Sequence, residues 1–573
     1  MRVLLLTHAF NSLAQRLFVE LRADGHEVSV ELDIADAVTE EAVALWRPDV
    51  VIAPFLKRRI PESVWSQRLC LVVHPGPPGD RGPSALDWAV LGGEREWGVT
   101  VLQATGDYDA GPVWASRGFA MREGATKSSL YRHEVVEAAV GALREALAKW
   151  TPGAVHDVTP TPGRWRPPMT QAQRAIDWAH EDTATVLRKL CAADGFPGVA
   201  DALFGVKAHL FDGHRASRDD LARAPDGAGG AVVARRGPAL LRRTADGGVW
   251  IGHVRRDRGA DAPTLKLAAT RAFAAECSAL PELPVPLMRD DASWDELRYR
   301  EHGVGEARVG VLSFEFHNGA MSTRQCRRLA AALREATRRS TRVLVLDGGP
   351  DFFSNGIHLH EIEAEQLLDQ GSAADASLAN IEAIDDVALA ILSLTDRLVI
   401  AALRGNAGAG GCYLALAADE VWAHGGVVQN PHYKNMGNLY GSEYWTYLLP
   451  RRIGEDRAHA LMRGRLPLGA REARSLGLLD AVLGDGAPGF DSAVLERALA
   501  LAAAPGWAAR VAAKAARREA DERIKPLAAY REEELRRMRL NFYGFDPSYH
   551  VARHHFVHRK PQAWTPRHLA LHR

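Results

Sequence analysis

Met1-Arg2-Val3-Leu4-Leu5-Leu6-Thr7-His8 opens the chain, and the pattern that follows it sets the fold class. Val3–Leu6 is a continuous apolar run of the kind buried on both faces in a parallel sheet. Ser12 stands where a helix N-cap belongs, and Leu13, Leu17, Phe18 and Leu21 recur on one helical face. Gly25 closes that helix, and Val28, Val30, Leu32 and Ile34 alternate as a second strand. Val50–Ala53 and Leu69–Val73 add two more buried strands. Strand, helix, strand in this order predicts a parallel sheet with ligands at the carboxyl ends of its strands. His74 lies just past such an end.

The same reading extends outward. A chain of 573 residues predicts roughly four folding units at ~150 residues each. A proline-rich joint, Thr159–Met169, precedes a helical pattern over Ala172–Leu190. Short strand-like runs follow near Val206–Phe211, Ala231–Val233, Ala239–Leu241 and Val249–Val254, separated by Gly-rich turns, which suggests a small barrel. A second joint, Leu280–Leu287 with three prolines, opens a third unit. From Val309 that unit reads strand, helix, strand (Val343–Leu346), with another strand at Leu398–Ala402. The remainder is charged and helical in pattern. The expected organisation is a multidomain α/β chain: a parallel-sheet domain (1–158), a small β-barrel domain (159–279), a second α/β domain (280–490) and a C-terminal helical region (491–573).

Charge and cysteine usage exclude several classes. Lys plus Arg and Asp plus Glu each total 71, so the net charge is zero, and binding of nucleic acid is not expected. The five cysteines form no C-x-x-C pair, which excludes a disulfide framework and Cys-rich metal sites. The opening apolar run is too short for a signal peptide. The most apolar long stretch, Val387–Ala402, is broken by Asp396 and Arg397, so a membrane span is not expected. A cytoplasmic protein is the expectation.

Two constellations carry chemistry. The first is His74-Pro75-Gly76-Pro77-Pro78-Gly79-Asp80-Arg81-Gly82, followed by Gly98-Val99-Thr100 and Asp107-Tyr108-Asp109-Ala110-Gly111-Pro112. This order resembles the 10-formyltetrahydrofolate-dependent formyltransferase and hydrolase family, and Ile176-Asp177-Trp178 resembles the opening of that family's C-terminal barrel. Moving a formyl group needs a base for the acceptor and an acid for the departing folate nitrogen, and one imidazole serves both. The resemblance implies His74 as proton relay, Asp109 as its partner, and Phe55, Leu56 and Asp107 in the folate pocket. One position departs: Val72 replaces the family's Asn, and loss of such an oxyanion donor typically costs ~2.7–4 kcal/mol.

The second constellation is Phe353-Ser354-Asn355-Gly356-Ile357-His358-Leu359 together with Leu403-Arg404-Gly405-Asn406-Ala407-Gly408-Ala409-Gly410-Gly411-Cys412-Tyr413. A dinucleotide fingerprint starting at Gly408 needs glycine where Tyr413 stands, so that reading fails. The two loops resemble the crotonase (enoyl-CoA hydratase/isomerase) superfamily. The resemblance implies a coenzyme A thioester whose oxygen is held by the Ile357 and Gly410 amides, with Ser354, Gly356 and Gly411 among the cofactor-binding positions. Tyr413 and, after Pro431, His432 replace the two glutamates of hydratases, so hydration of a double bond is not expected. Tyr413, His432, Asn435, Tyr440 and Glu443 remain for proton handling. Tyr413, three residues past Gly410, is expected to aim its hydroxyl at the thioester carbon.

Joined end to end, the two halves resemble the HypX/HoxX family of hydrogenase maturation factors, as does the loop Gln429–Glu443. That resemblance implies formyl transfer from 10-formyltetrahydrofolate to coenzyme A, then decarbonylation of formyl-CoA to carbon monoxide for nickel–iron hydrogenase. Its implied partners are nickel–iron hydrogenase maturation proteins. Two other readings stay open: a formyl-folate hydrolase or transferase with a regulatory acyl-CoA-binding domain, and a non-catalytic scaffold. His550, His554 and His558 would align on a helix, but no acidic ligand accompanies them in the sequence, so no metal site is expected there.

Overall fold

The computed structural model describes residues 1–150, 163–259, 263–368 and 370–573. The joint expected from Thr159 begins in 159–162, outside the described residues, and so does the 158/159 boundary. The chain is a multidomain α/β protein dividing into two compact units, Met1–Leu283 with Pro561–Arg573, and Pro284–Lys560.

In the first unit, the strands Glu27–Leu32, Arg2–Thr7, Val50–Phe55 and Cys70–His74 lie side by side and parallel. Val3, Leu4, Leu5 and Leu6 are all at most 1% exposed, as a strand covered on both faces requires. The first helix, Ser12–Ala23, is capped one residue earlier than the sequence suggested. Asn11, not Ser12, accepts the Ala14 N–H. Glu96–Gln103 and Val113–Ala120 extend the sheet as an antiparallel pair, because the turn between them is too short for a crossover helix. At the opposite edge the Val30 N–H donates to the Leu569 carbonyl, and His572 and Arg573 pair with the buried Glu31. The chain end thereby covers an edge strand.

Within the same compact unit, residues 199–268 form a six-stranded antiparallel sheet with Gly248–Arg256 at its centre. The single helix expected over Ala172–Leu190 is two helices, Gln171–Arg174 and Thr183–Ala192. Between them Trp178 turns inward, donating its indole N–H to Asp201 at 2.7 Å with Arg242 stacked on its ring. Asp182 then caps the second helix afresh.

The second unit has two sheets. The larger carries Val309–Phe314, Val343–Gly348, Leu398–Leu403, Glu420–Ala423 and Ala481–Val482 in parallel, with Leu297–His302 antiparallel at one edge. The smaller carries Phe352–Ser354, Asn406–Gly408 and Val428–Asn430 in parallel. Each turn of this spiral therefore supplies a strand to the large sheet and then one to the small. Arg397, inside the long apolar stretch, is buried and donates to the carbonyls of Ala336, Thr337 and Arg339. Among the described residues no helix is long and apolar enough to cross a membrane. The C-terminal helices Leu527–Tyr543 and Ser548–Val557 belong to this unit, and Leu535, Met538, Phe542 and Tyr549 join its core.

Candidate active sites

His74 ends the strand Cys70–His74 and is buried. Its Nε2 lies 2.9 Å from Asp80 Oδ2 and its Nδ1 3.6 Å from Asp109 Oδ1. The ring is thus held between two carboxylates, and the nearer is Asp80, which sequence reasoning passed over. Asp80 Oδ1 is paired in turn with Arg166 Nε at 3.0 Å. Asp109 sits in the left-handed region, φ 49°, and its Oδ2 accepts the Gly82 N–H at 3.0 Å. Both acids therefore fasten the loop 75–82 over the histidine. Gly76 makes the approach possible, because a Cβ there would lie 2.5 Å from both His74 Nε2 and Asp80 Oδ2. Thr100 Oγ1 donates to the Gly76 carbonyl at 2.8 Å and Trp97 Nε1 to Pro75 at 2.9 Å, completing the clamp.

The remaining expected positions of this site surround it unequally. Val72 lies two residues before His74, between Ala53 and Leu102, and brings no donor. The Phe55 carbonyl, at the end of its strand, accepts from the His8 N–H and from Thr7 Oγ1. Leu56 packs on the apolar cluster of Leu4, Leu6 and Val51. Asp107 is exposed in the turn before Asp109.

In the second unit the site loops leave the ends of the small sheet's three parallel strands. Ser354 leads to Gly356 and Ile357, Gly408 to Gly410, and Asn430 to Pro431, His432 and Tyr433. The Ser354 hydroxyl accepts the Gly356 N–H at 3.0 Å. Gly411 passes so close that a Cβ would lie 2.0 Å from the Ser354 carbonyl oxygen. The loops carrying Ile357 and Gly410 are consequently pressed together. Met321 pairs with this loop through the Gly356 carbonyl, which leaves the Ile357 N–H outside the pairing. The two loops approach closely: a Cβ on Gly356 would lie 3.4 Å from the Gly410 nitrogen.

The expectation for Tyr413 needs correction. Its hydroxyl donates to the Pro431 carbonyl at 2.7 Å and contacts Met462 Sδ, so it is turned into the protein. Burial also pushes its phenol well above the ordinary value, so the ionised form that could take a proton is scarcer still. The carboxylate that meets Gly410 is Glu443: a Cβ on Gly410 would fall 2.2 Å from Glu443 Oε1. Glu443 Oε2 accepts the Tyr433 hydroxyl at 2.5 Å, and the Tyr433 ring stacks on Tyr413 at 5.5 Å. Burial raises the Glu443 carboxyl above the usual range, against the opposing hydrogen bonds from Tyr433 and Ser442. Tyr433 was not singled out from the sequence, although it lies only ten residues before Glu443.

His432 is buried beside this pair in sequence, with its N–H on the Asn430 carbonyl. Tyr440 packs its ring on Trp445, and Asn435 reaches towards the Arg465 carbonyl at 3.5 Å. Tyr413→Phe should lower stability by about 1–3 kcal/mol, since it removes the hydroxyl that serves the Pro431 carbonyl. Thermal melting checks this.

The histidine series also differs from expectation. An acidic partner is present: Glu363 Oε1 lies 2.9 Å from His558 Nε2 and 3.2 Å from His554 Nδ1, and its Oε2 accepts from Arg553 Nε at 2.7 Å. His550 is drawn away, bonding the Phe542 carbonyl and Arg553. Glu363, His554 and His558 offer metal-ligand atoms within 4.8 Å of one another. Both imidazoles bond the Glu363 carboxyl beside a guanidinium, forming a clasp between the helix Leu359–Leu367 and the C-terminal end of the helix Ser548–Val557.

Comparison with known proteins supports both halves. Residues 10–147 match the formyl transferase family and residues 306–565 the enoyl-CoA hydratase/isomerase family. The hydrogenase maturation factor HoxX of Bradyrhizobium diazoefficiens is 56% identical over 100% of this chain and 97% of that protein. The crystal structure of HypX from Aquifex aeolicus in complex with tetrahydrofolic acid superposes with a TM-score of 0.94 at 44% identity, covering 100% of this chain and 99% of that one. A methionyl-tRNA formyltransferase of Ralstonia pickettii is 28% identical over 35% of this chain and 60% of its own length.

Proposed function

Because this chain belongs to the HypX/HoxX family of hydrogenase maturation factors, we propose that it makes carbon monoxide from a folate-borne formyl group in two steps. At the first site, formyl passes from 10-formyltetrahydrofolate to the thiol of coenzyme A. The C–N bond to folate breaks, a C–S bond forms, and the thiol proton travels through His74 to the departing nitrogen. Asp80 and Asp109 hold the ring for that exchange at 2.9 and 3.6 Å. The tetrahydrofolate bound by the Aquifex relative supports the choice of donor.

At the second site, formyl-CoA gives carbon monoxide and free coenzyme A. The Ile357 and Gly410 amides polarise the thioester carbonyl. Glu443 takes the formyl proton, the C–H electron pair stays on carbon as the C–S bond breaks, and the thiolate leaves with the C–S pair. Return of the proton to sulfur closes the cycle with no net oxidation or reduction. The observation that carries this reading is the Glu443 carboxylate lying against Gly410, so that base and oxyanion donor address one carbonyl carbon. A fold of this superfamily without the hydratases' glutamates at 413 and 432, but with this one, suits removal of a proton and not addition of water.

Formyl-CoA supplied alone should release carbon monoxide. Binding of formyl-CoA with no gas release overturns the second step and leaves the thioester domain a sensor. The acid limb of that activity should lie above the ordinary carboxyl range, because the base must be ionised and burial resists ionisation. Tyr433→Phe removes a hydrogen bond that favours the ionised form, so it should move the limb to higher pH. A limb that stays in place or moves down contradicts the assignment of Glu443 as the base.

A further inference from the structure

Glu443 stands on a backbone that does not hold itself. Glu443 and Tyr444 are consecutive non-glycine residues in the left-handed region, with φ of 59° and 60°. Each such residue costs of order 1–3 kcal/mol and persists only where its surroundings over-determine it. Two buried carboxylates from distant helices supply that determination. Asp385, in the helix Ala373–Leu392, accepts the Glu443 N–H on Oδ1 at 2.8 Å. Glu534, in the helix Leu527–Tyr543, accepts the Tyr444 N–H on Oε2 at 2.9 Å and the Thr446 N–H on Oε1 at 2.8 Å. Asn541 of the same helix accepts the Tyr440 N–H at 3.0 Å. Both acids are 0% exposed.

We propose that Asp385 and Glu534 are positioning residues for the second step, fixing the left-handed turn that aims Glu443 at the thioester carbon, so that the C-terminal helix completes that site. The inference rests on the reading of Glu443 as base. Asp385 Oδ1 and both Glu534 oxygens are spent on backbone amides. Glu534 also shows why a carboxyl group stands there, since two oxygens on one side chain accept from two amides at once. Burial and the Glu443 charge push the Asp385 carboxyl upward, and burial pushes Glu534 far above its usual value. The cation facing Asp385 is Arg531, whose Nε is 3.9 Å from Asp385 Oδ2.

The test uses full-length protein supplied with formyl-CoA, with kcat expressed per folded molecule. Asp385→Ala should lower kcat for carbon monoxide release by about 100-fold, with KM within about twofold, because a misaimed base binds substrate normally. Asp385→Asn keeps the accepting oxygen and should recover to within about threefold of wild type. Glu534→Gln retains one acceptor where two are used and should fall about tenfold. Wild-type kcat in Asp385→Ala beside an inactive Glu443→Gln overturns this proposal and leaves the base assignment intact. Wild-type kcat in Glu443→Gln overturns the base assignment instead. Asp385→Asn as slow as Asp385→Ala shows that charge and not amide acceptance is what matters, and also overturns it. Should Asp385→Ala not fold, Glu534→Gln decides: wild-type kcat there is contrary, a fall with unchanged KM is supporting.

Discussion

Glu443→Gln is expected to stop carbon monoxide release from formyl-CoA while formyl-folate is still consumed at the first site. The substitution keeps the side chain's size and its acceptor for the Tyr433 hydroxyl, but an amide cannot take the formyl proton. Loss of a general base typically lowers a rate by about 10²–10⁴-fold. The Tyr413 hydroxyl is committed to the Pro431 carbonyl, and the Tyr433 phenol is pushed well above its ordinary value by burial and by the Glu443 charge. Formyl-CoA should therefore accumulate when both folate and coenzyme A are supplied. Chromatographic detection of formyl-CoA beside a gas assay checks this. Wild-type gas release from the variant removes Glu443 from the mechanism.

His74→Ala should produce the mirror image. Formyl-folate consumption is expected to fall by about 10²–10⁴-fold, because both proton transfers of the first step pass through one ring. Formyl-CoA supplied directly should still yield carbon monoxide, since the second site draws on residues of the other compact unit alone. The loss should not reflect collapse of the loop, because Asp109 still accepts the Gly82 N–H and Thr100 still holds the Gly76 carbonyl. Tetrahydrofolate formation followed by absorbance checks the first half. Full folate turnover in the variant contradicts the relay.

The two sites were legible in the sequence to different depths, for physical reasons. Local order carried His74, Asp109 and the paired glycine loops, because each depends on spacing along one strand–loop segment. Asp80 was within the quoted loop but unassigned, since its approach to His74 depends on the chain doubling back at Gly76 and the left-handed Gly79. Tyr413 was misjudged because position after the glycine run specifies where a side chain starts, not where its hydroxyl finds an acceptor. Glu443 was visible only as one member of a polar cluster. What sets it apart is a bond to Tyr433 across a turn that brings Gly441 against the Tyr433 ring. Asp385 and Glu534 left no signal: acids on amphipathic helices 58 residues before and 91 residues after Glu443 look like solvated faces until the helices pack. The same applies to Glu363, which reaches His554 and His558 from 191 and 195 residues away. The fold itself was more accessible. Its alternation of buried strands and amphipathic helices is written locally, whereas the antiparallel edge pair and the broken helix at Trp178 depend on turn length and on a stacking partner from another strand.

The most direct test of the whole account is the fate of a labelled formyl carbon. Wild-type protein would be given carbon-13 formyl-labelled 10-formyltetrahydrofolate and coenzyme A, with the gas trapped on a deoxygenated haem protein and read by infrared absorption. The expected result is carbon-13 monoxide in equal amount to the tetrahydrofolate formed, and none when coenzyme A is omitted. Tetrahydrofolate formed with labelled formate in solution and no labelled carbon monoxide would contradict it.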